Sequence, residues 1–434
     1  MKANLSADLP MKTSTMWKID KWFGVPLCFI LTVGRALFGK LRKTNLGQIR
    51  KILIVKLAEQ GATVVAYPAI MKAIQKVGRE NVHFLVFEDN RHILDIMNVV
   101  PNENIITITT GRPFSFATSF FRGILQVRRK SIDTVVDFEF FARATAILCY
   151  LTGAKRRIGL HSFMREGPYR GNLMTHPVSY NPHLHAADTF RVLVESMDAP
   201  AQDLPALEIC GRAQQYCLPE FEPDPEEVEE IRRILCEKTG LNGTFRLIIL
   251  NANTSDLLPL RSWAPGNYVE IARRLVDRYA EVCIVFTGAQ SESKAVQRLV
   301  RDVRSRRCVS LAGETTFRQL MVLCSIGDVL LTNDSGPAHF ASLTPINTIV
   351  LFGPETPVLF APKGPRVDVI HAGLACSPCI NAFNGRQTVC RKNVCMQKIT
   401  VEHVFARLCR VYEMFARKDR REVMAPIVSA RVGC

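Results

Sequence analysis

From residue 51 onward the chain alternates unbroken apolar runs with stretches whose apolar residues recur at helical spacing. The first runs are KILIVKL (51–57), VHFLVFE (82–88), NIITITT (104–110), SIDTVVDF (131–138) and AKRRIGL (154–160). Runs of that length without polar alternation mark strands covered on both faces, as in a parallel sheet. Helical stretches separate them: 62–77 with Pro68 inside it, a segment near 115–130, and an Ala-rich segment at 141–151. A second series follows, with RLIILNA (246–252), EVCIVFT (281–287), CVSLAG (308–313), an apolar run opening at Val329, and NTIVLFG (347–353). Helices near 265–279 and 291–304 fall between these strands, and an amphipathic helix at 401–417 closes the pattern. Strands alternating with helices build βαβ units, so the pattern predicts an α/β chain with two Rossmann-like halves in tandem.

Composition shifts mark the boundaries. Residues 49–205 read as the first domain and 226–400 as the second, with a Pro-rich linker at 206–225. Asp224-Pro225-Glu226-Glu227 has the order of a helix start and opens the second domain. Residues 1–48 are basic and apolar, and 401–434 hold the last helix and a basic tail.

The most informative stretch is VLLTNDSGPAHFA (329–341). A buried strand there breaks into Asp334-Ser335-Gly336-Pro337, where Asp or Ser suits a helix cap and Pro the first helical turn. A strand that opens onto a helix at the carboxyl edge of a parallel sheet is where α/β proteins bind anions. Asp334 and His339 add polar groups suited to a ribose, a diphosphate or a sugar. An ordinary strand–helix turn with a satisfied Asp cap is the plainer alternative. No Gly-x-Gly, Walker A loop or His-Glu-x-x-His occurs, which argues against dehydrogenases, P-loop enzymes and zinc proteases.

The net charge of +16 admits nucleic acid, an anionic membrane or phosphorylated substrates as partners. The basic stretches do not interleave with aromatics as single-strand binders do, so no nucleic-acid partner is expected. Residues 22–38, WFGVPLCFILTVGRALF, are apolar and flanked by Lys18, Lys21, Lys40, Arg42 and Lys43. They are at or below bilayer-spanning length and hold Pro26, Gly34 and Arg35, which favours an interfacial anchor over a span. A peripheral helix packed on its own domain is the other reading. Fourteen cysteines in so long a chain suit a reducing cytoplasm rather than a disulfide scaffold. The expected location is therefore cytoplasmic, peripheral at the inner face of the inner membrane.

Four stretches together resemble glycosyltransferase family 9, whose members include the ADP-heptose:lipopolysaccharide heptosyltransferases. They are ILIVKLAEQGATVVAYPAI (52–70), AILCYLTGAKRRIGL (146–160), TNDSGPAHFAS (332–342) with LFGPETP (351–357), and CSPC (376–379) with later Cys390 and Cys395. The resemblance implies a GT-B fold, two Rossmann-like domains facing across a cleft, with the donor in the second domain and the acceptor in the first. It implies that the last helix returns to the first domain. The implied reaction is inverting transfer of a sugar from a nucleoside diphosphate, such as ADP-heptose, to a lipid-linked glycan acceptor, with no cofactor required. Lipopolysaccharide or related surface glycan assembly is the implied setting.

Residue roles follow from the same resemblance. Asp334, Ser335, Gly336 and His339 match the donor site, with the Ser335 and Gly336 N–H groups on the diphosphate. Thr254 and Arg261 lie where the family places phosphate-contacting Thr and Lys, and Gly61 lies in the glycine loop. The family's loop ends in Gly-Asp, whose Asp acts as base, whereas this chain has Gly61-Ala62. Glu59, three residues earlier, is the candidate base, with a helix-capping role as its alternative and Asp137 in reserve. Cys376, Cys379, Cys390 and Cys395 admit a structural zinc or serve as packing thiols. Two other functions stay open: a non-catalytic sugar-nucleotide-binding protein, and another GT-B enzyme such as a sugar-nucleotide epimerase.

Overall fold

The structure, a computed structural model, describes residues 19–38, 46–111, 113–200, 217–241, 245–254 and 258–423. Most of the expected linker, most of the N-terminal basic residues and the final eleven residues lie outside these ranges.

Two six-stranded sheets carry the fold, with every strand pairing parallel. The first contains β1 (Ile52–Val55), β2 (Val82–Phe87), β3 (Ile105–Ile108), β4 (Thr134–Asp137), β5 (Arg156–His161) and β6 (His176–Ser179), in the order 3-2-1-4-5-6. The second contains β7 (Arg246–Asn251), β8 (Val282–Phe286), β9 (Cys308–Ser310), β10 (Val329–Asn333), β11 (Asn347–Phe352) and β12 (Val367–His371), in the order 12-11-10-7-8-9. Read from the other edge, that is the same doubly wound order. This is the expected GT-B architecture. In each sheet the winding reverses between two central strands, β1 and β4 or β7 and β10. Loops leaving the carboxyl ends of such a pair diverge and leave a crevice.

The unbroken apolar runs have a direct cause. Ile52 and Ile54 face one apolar cluster with Val64, Ala69 and Phe190, while Leu53 and Val55 face another with Ile124, Val127 and Leu148. Each strand is covered on both faces, and each such side chain contributes roughly 1.5–3 kcal/mol when fully buried. The cluster that includes Ile52 and Ile54 does not end with its domain. It continues without a break to Leu247, Ile249, Val285, Phe340 and Leu343 of the second half.

The helix expected over 62–77 is two helices, Gln60–Val65 and Tyr67–Val77, broken at Ala66. Pro68 lies in the first turn of the second, where a residue without an N–H is tolerated. The expected helix start opens the Pro225–Thr239 helix, where Glu227 Oε2 accepts from the N–H of Asp224 at 3.0 Å.

The last helix, Val401–Val423, does not return to the first domain as the resemblance implied. Its Val404, Leu408 and Tyr412 complete the core of the second domain. Arg407 Nη2 lies 2.7 Å from Asp368, and Tyr412 donates to Glu281 at 2.8 Å.

The N-terminal helix Gly24–Phe38 lies against the Arg143–Leu151 helix of the first domain. Cys28 is fully buried there, and Arg35 donates to the carbonyl of Met174 at 2.8 Å. Asp20 accepts from the N–H groups of Arg143 and Ala144. The outward side is apolar: Trp22, Phe23, Phe29, Ile30 and Leu37 are each more than half exposed. Among the described residues no helix is long and apolar enough to cross a membrane.

Candidate active site

The switch points bring the predicted residues together from both halves. Lys56 to Glu59 leave β1, Glu139 follows β4, Thr254 and Arg261 follow β7, and Asp334 follows β10. The loops after β11 and β12 add Glu355 and Arg386, to which the sequence reading gave no role.

Lys56 is 1% exposed although it ends an apolar strand. Its ammonium lies 3.0 Å from Glu139 Oε2 and 3.5 Å from Glu59 Oε2. Glu139 is fixed in turn by the N–H of Ala58 at 3.0 Å. Across the cleft, Arg261 pairs with Glu355, and its Nε lies 3.3 Å from Asp334 Oδ2. Arg386 pairs with Glu59 through Nη1, and its Nε lies 3.9 Å from Glu355 Oε1. The result is a chain of alternating charge across both domains: Glu139, Lys56, Glu59, Arg386, Glu355, Arg261 and Asp334. Glu355 is 1% exposed, and its Oε1 has no hydrogen-bond partner.

Glu59 occupies the residue before the Gln60–Val65 helix, but its side chain makes no capping hydrogen bond. The capping alternative therefore does not describe it. Its φ of 65° is left-handed, which costs a non-glycine residue roughly 1–2 kcal/mol. Burial pushes its carboxyl up, but Arg386 and then Lys56 outweigh burial and hold it well below the usual carboxylate range. Glu59 is thus ionised at neutral pH. Asp137, the reserve candidate, is fully buried and committed elsewhere. It pairs with Arg170, accepts from Thr145 at 2.8 Å and accepts from the N–H of Glu139 at 3.0 Å.

The turn after β10 has the expected order of strand, turn and Pro-containing helix, but neither Asp334 nor Ser335 caps that helix. Asn333 Oδ1 accepts from the N–H of Trp263, and its amide donates to the carbonyl of Ala252, which ties β10 to the loop after β7. Ser335 precedes the Gly336–Ala341 helix without capping it, and Pro337 lies in the first turn. Thr254 is half-buried in the loop after β7.

Gly61 and His339 meet directly. A Cβ on Gly61 would stand 2.7 Å from His339 Cδ2 and 3.1 Å from Cγ, so glycine permits the helices Gln60–Val65 and Gly336–Ala341 to touch. Gly61→Ala is expected to destabilise by about 1–3 kcal/mol through overpacking. A thermal melt checks this, and an unchanged Tm would mean that His339 gives way freely. Burial, with His185 and Arg261 nearby, lowers His339 to about 4, so its ring is neutral at pH 7.

Burial raises the Asp334 carboxyl to about 7, against the pull of Arg261 and with a further push from Glu355. A carboxyl raised in this way binds a proton that the unfolded chain releases. Its contribution to stability is full below about pH 4 and is lost as pH rises through about 7. Asp334→Asn should therefore gain Tm relative to the wild type between pH 5 and pH 8. Parallel Tm curves for the two proteins across that range would count against this account.

Cys376 is exposed, Cys379 and Cys390 are half-buried, Cys395 is buried, and all four are free thiols. Among the described residues no group of three or more His, Cys, Asp or Glu is arranged to hold a metal ion. The loop between these cysteines is shaped by hydrogen bonds instead. Asn381 and Asn384 exchange backbone-to-side-chain bonds at 3.1 and 3.0 Å.

The arrangement can bind an anion between cations of both domains and offer a carboxylate nearby. Comparison with known proteins bears on the family. The family model described as glycosyltransferase family 9 (heptosyltransferase) matches residues 121–388. Lipopolysaccharide heptosyltransferase 2 of Salmonella typhimurium is 25% identical over 187 residues, which is 42% of this chain and 52% of that protein. The Escherichia coli K12 lipopolysaccharide heptosyltransferase 2 is 24% identical over 230 residues, which is 52% of this chain and 62% of that protein. The chain thus spans about half to three-fifths of the length of these relatives. The solved structure of E. coli ADP-heptose lps heptosyltransferase II aligns with a TM-score of 0.64 at 18% identity, covering 84% of this chain and 99% of that one. That likeness is one of fold. Because the family model takes in more than half of the chain, the chain belongs to glycosyltransferase family 9.

Proposed function

We propose that the chain is an inverting glycosyltransferase that moves a sugar from a nucleoside diphosphate to a lipid-linked glycan acceptor in lipopolysaccharide or related surface glycan assembly. The observation that carries this reading is the charge chain running from Glu139 to Asp334 across both switch points. Arg261 and the turn at Ser335 and Gly336 hold the donor diphosphate, with Thr254 beside them. Asp334 and His339 orient the sugar and ribose. Glu59 takes the proton of the acceptor hydroxyl as that oxygen attacks the anomeric carbon. The C–O bond to the diphosphate breaks on the opposite face, and Arg261 stabilises the leaving charge. ADP-heptose, which the name of the E. coli structural relative carries, is the first donor to try.

The outward apolar side of the Gly24–Phe38 helix supports a peripheral place on the inner face of the inner membrane. Phe29, Ile30 and Leu37 on it, with Trp22 and Phe23 just before it, are more than half exposed, and a lipid-linked acceptor lies in that surface. One observation favours a second reading, a non-catalytic sugar-nucleotide-binding protein. Ala62 stands where the family has its Asp, and Glu59 is tied to Arg386.

The experiment is a thermal-shift panel of ADP-, UDP-, GDP- and CMP-sugars, followed by transfer assays on lipid extracts with whichever donor binds. A donor at about 100 times its dissociation constant stabilises the folded state by roughly 2.7 kcal/mol. A selective shift with transfer supports the transferase. A shift without transfer to any extract favours the binding protein, and no shift with any donor removes both.

A further inference from the structure

The segment 372–393 leaves the second domain after β12 and reaches the first. Phe383 places its ring 5.1 Å from that of Tyr180 and 6.0 Å from that of Phe141. Gly167 of the first domain lies so close that a Cβ there would meet both Phe383 and Phe141. Behind this aromatic anchor the chain turns tightly. The N–H of Arg386 donates to the carbonyl of Asn381 at 2.9 Å, and Arg386 itself holds a left-handed φ of 57°. The strap thereby aims a guanidinium into the cleft, between Glu59 of the first domain and Glu355 of the second, over the ring of Phe360 at 5.8 Å.

We propose that Arg386 is a donor-binding residue, which pairs with the diphosphate of a nucleotide sugar and releases Glu59 when it does so. The inference rests on the transferase reading and adds a residue and an order of events to it.

The charge balance carries the argument. The site holds three cations, Lys56, Arg261 and Arg386, against three carboxylates, Glu59, Glu139 and Glu355, and the Asp334 carboxyl, which burial raises to about 7. A diphosphate brings more negative charge into a site where each cation already faces a carboxylate, so at least one cation must exchange partners. Lys56 is 1% exposed and held by Glu139, which a backbone N–H fixes. Arg261, 15% exposed, keeps Glu355 and Asp334, which are 1% and 5% exposed, and meets the diphosphate with its remaining N–H groups. Arg386 and Glu59, at 18% and 30%, form the more accessible pair, and one of them rides on a loop. A guanidinium has five N–H donors in a fixed fork, so Arg386 can turn one edge to phosphate oxygens and keep Glu355 on the other. Glu59 is then left without its guanidinium partner, ready to accept a proton. Donor occupancy thereby precedes release of the base.

The test is isothermal titration calorimetry on the full chain with ADP, UDP and GDP, and with the monophosphate that matches the tightest of them. The wild type is expected to prefer the diphosphate. Arg386→Gln should weaken the diphosphate by about 10- to 100-fold, the loss of a charge-assisted bond, and should leave the monophosphate within about threefold. Glu59→Gln should act in the opposite direction and tighten the diphosphate, because the arginine is no longer held. Unchanged diphosphate affinity in Arg386→Gln overturns the assignment while leaving the transferase reading intact. Should that variant fail to fold, Glu59→Gln decides alone: a gain in affinity supports the assignment, and no gain overturns it. A wild type that binds none of these nucleotides removes the donor site, and both readings fall together.

Discussion

Glu59→Gln is expected to lower kcat by about 10²- to 10⁴-fold, the span of general-base catalysis, which is roughly 3–5 kcal/mol of barrier. Glutamine keeps the shape of the side chain but not its charge, so the change removes the proton acceptor and at the same time loosens Arg386. In the first domain the nearest alternatives among the described residues are closed to the role. Ala62 has none, Asp137 is sealed under Arg170, and Glu139 is committed to Lys56 and the N–H of Ala58. The measurement is single-turnover transfer with saturating donor on a lipid extract that the wild type uses. Because the same variant should bind the diphosphate more tightly, slow turnover combined with improved donor affinity is the expected signature. Undiminished turnover would clear Glu59 of the role and place the base on the acceptor or on water.

The largest effect on stability is expected from Asp137→Ala. Asp137 and Arg170 are 0% and 2% exposed, and the arginine also donates to the carbonyls of Ala142 and Leu160 at 2.9 and 2.8 Å. Removing the carboxylate leaves a buried guanidinium without its counter-charge, at a cost of about 3–5 kcal/mol. In equilibrium urea unfolding the midpoint should fall by about 1 M or more at unchanged slope. Asp137→Asn keeps acceptor geometry for Thr145 and should fall between the two. An Asp137→Ala midpoint within error of the wild type would mean that water or another carboxylate reaches Arg170.

Much of the fold was written in local pattern. Central strands read clearly because both faces are covered, and ILIV at β1 has no exposed position. The edge strands β6 and β12 escaped notice for the same physical reason turned around. HPVS and VDVIH are covered only in part, so their apolar residues are diluted by polar ones. The donor turn was legible because strand, turn and Pro are consecutive. The cross-domain site was not. Glu59 and Arg386 lie 327 residues apart, and Arg386 stands in a polar stretch, NGRQT, that looks like any surface turn. Lys56 was hidden differently, as a charged residue ending an apolar run, where the partner that keeps it buried, Glu139, comes from the loop after β4, 83 residues later. The returning last helix was expected from kinship alone. Nothing in its amphipathic pattern said which core it would complete.

The unbroken apolar cluster from Ile52 to Leu343 sets how such a molecule can exchange its ligands. Swinging the two halves apart would expose that cluster at about 25 cal/mol for each Å² of apolar surface, a cost that a working cycle would meet at every turnover. Residues 372–393 join the same cluster through Ala382 and Phe383, so the strap that carries Arg386 is anchored in the shared core of the two halves.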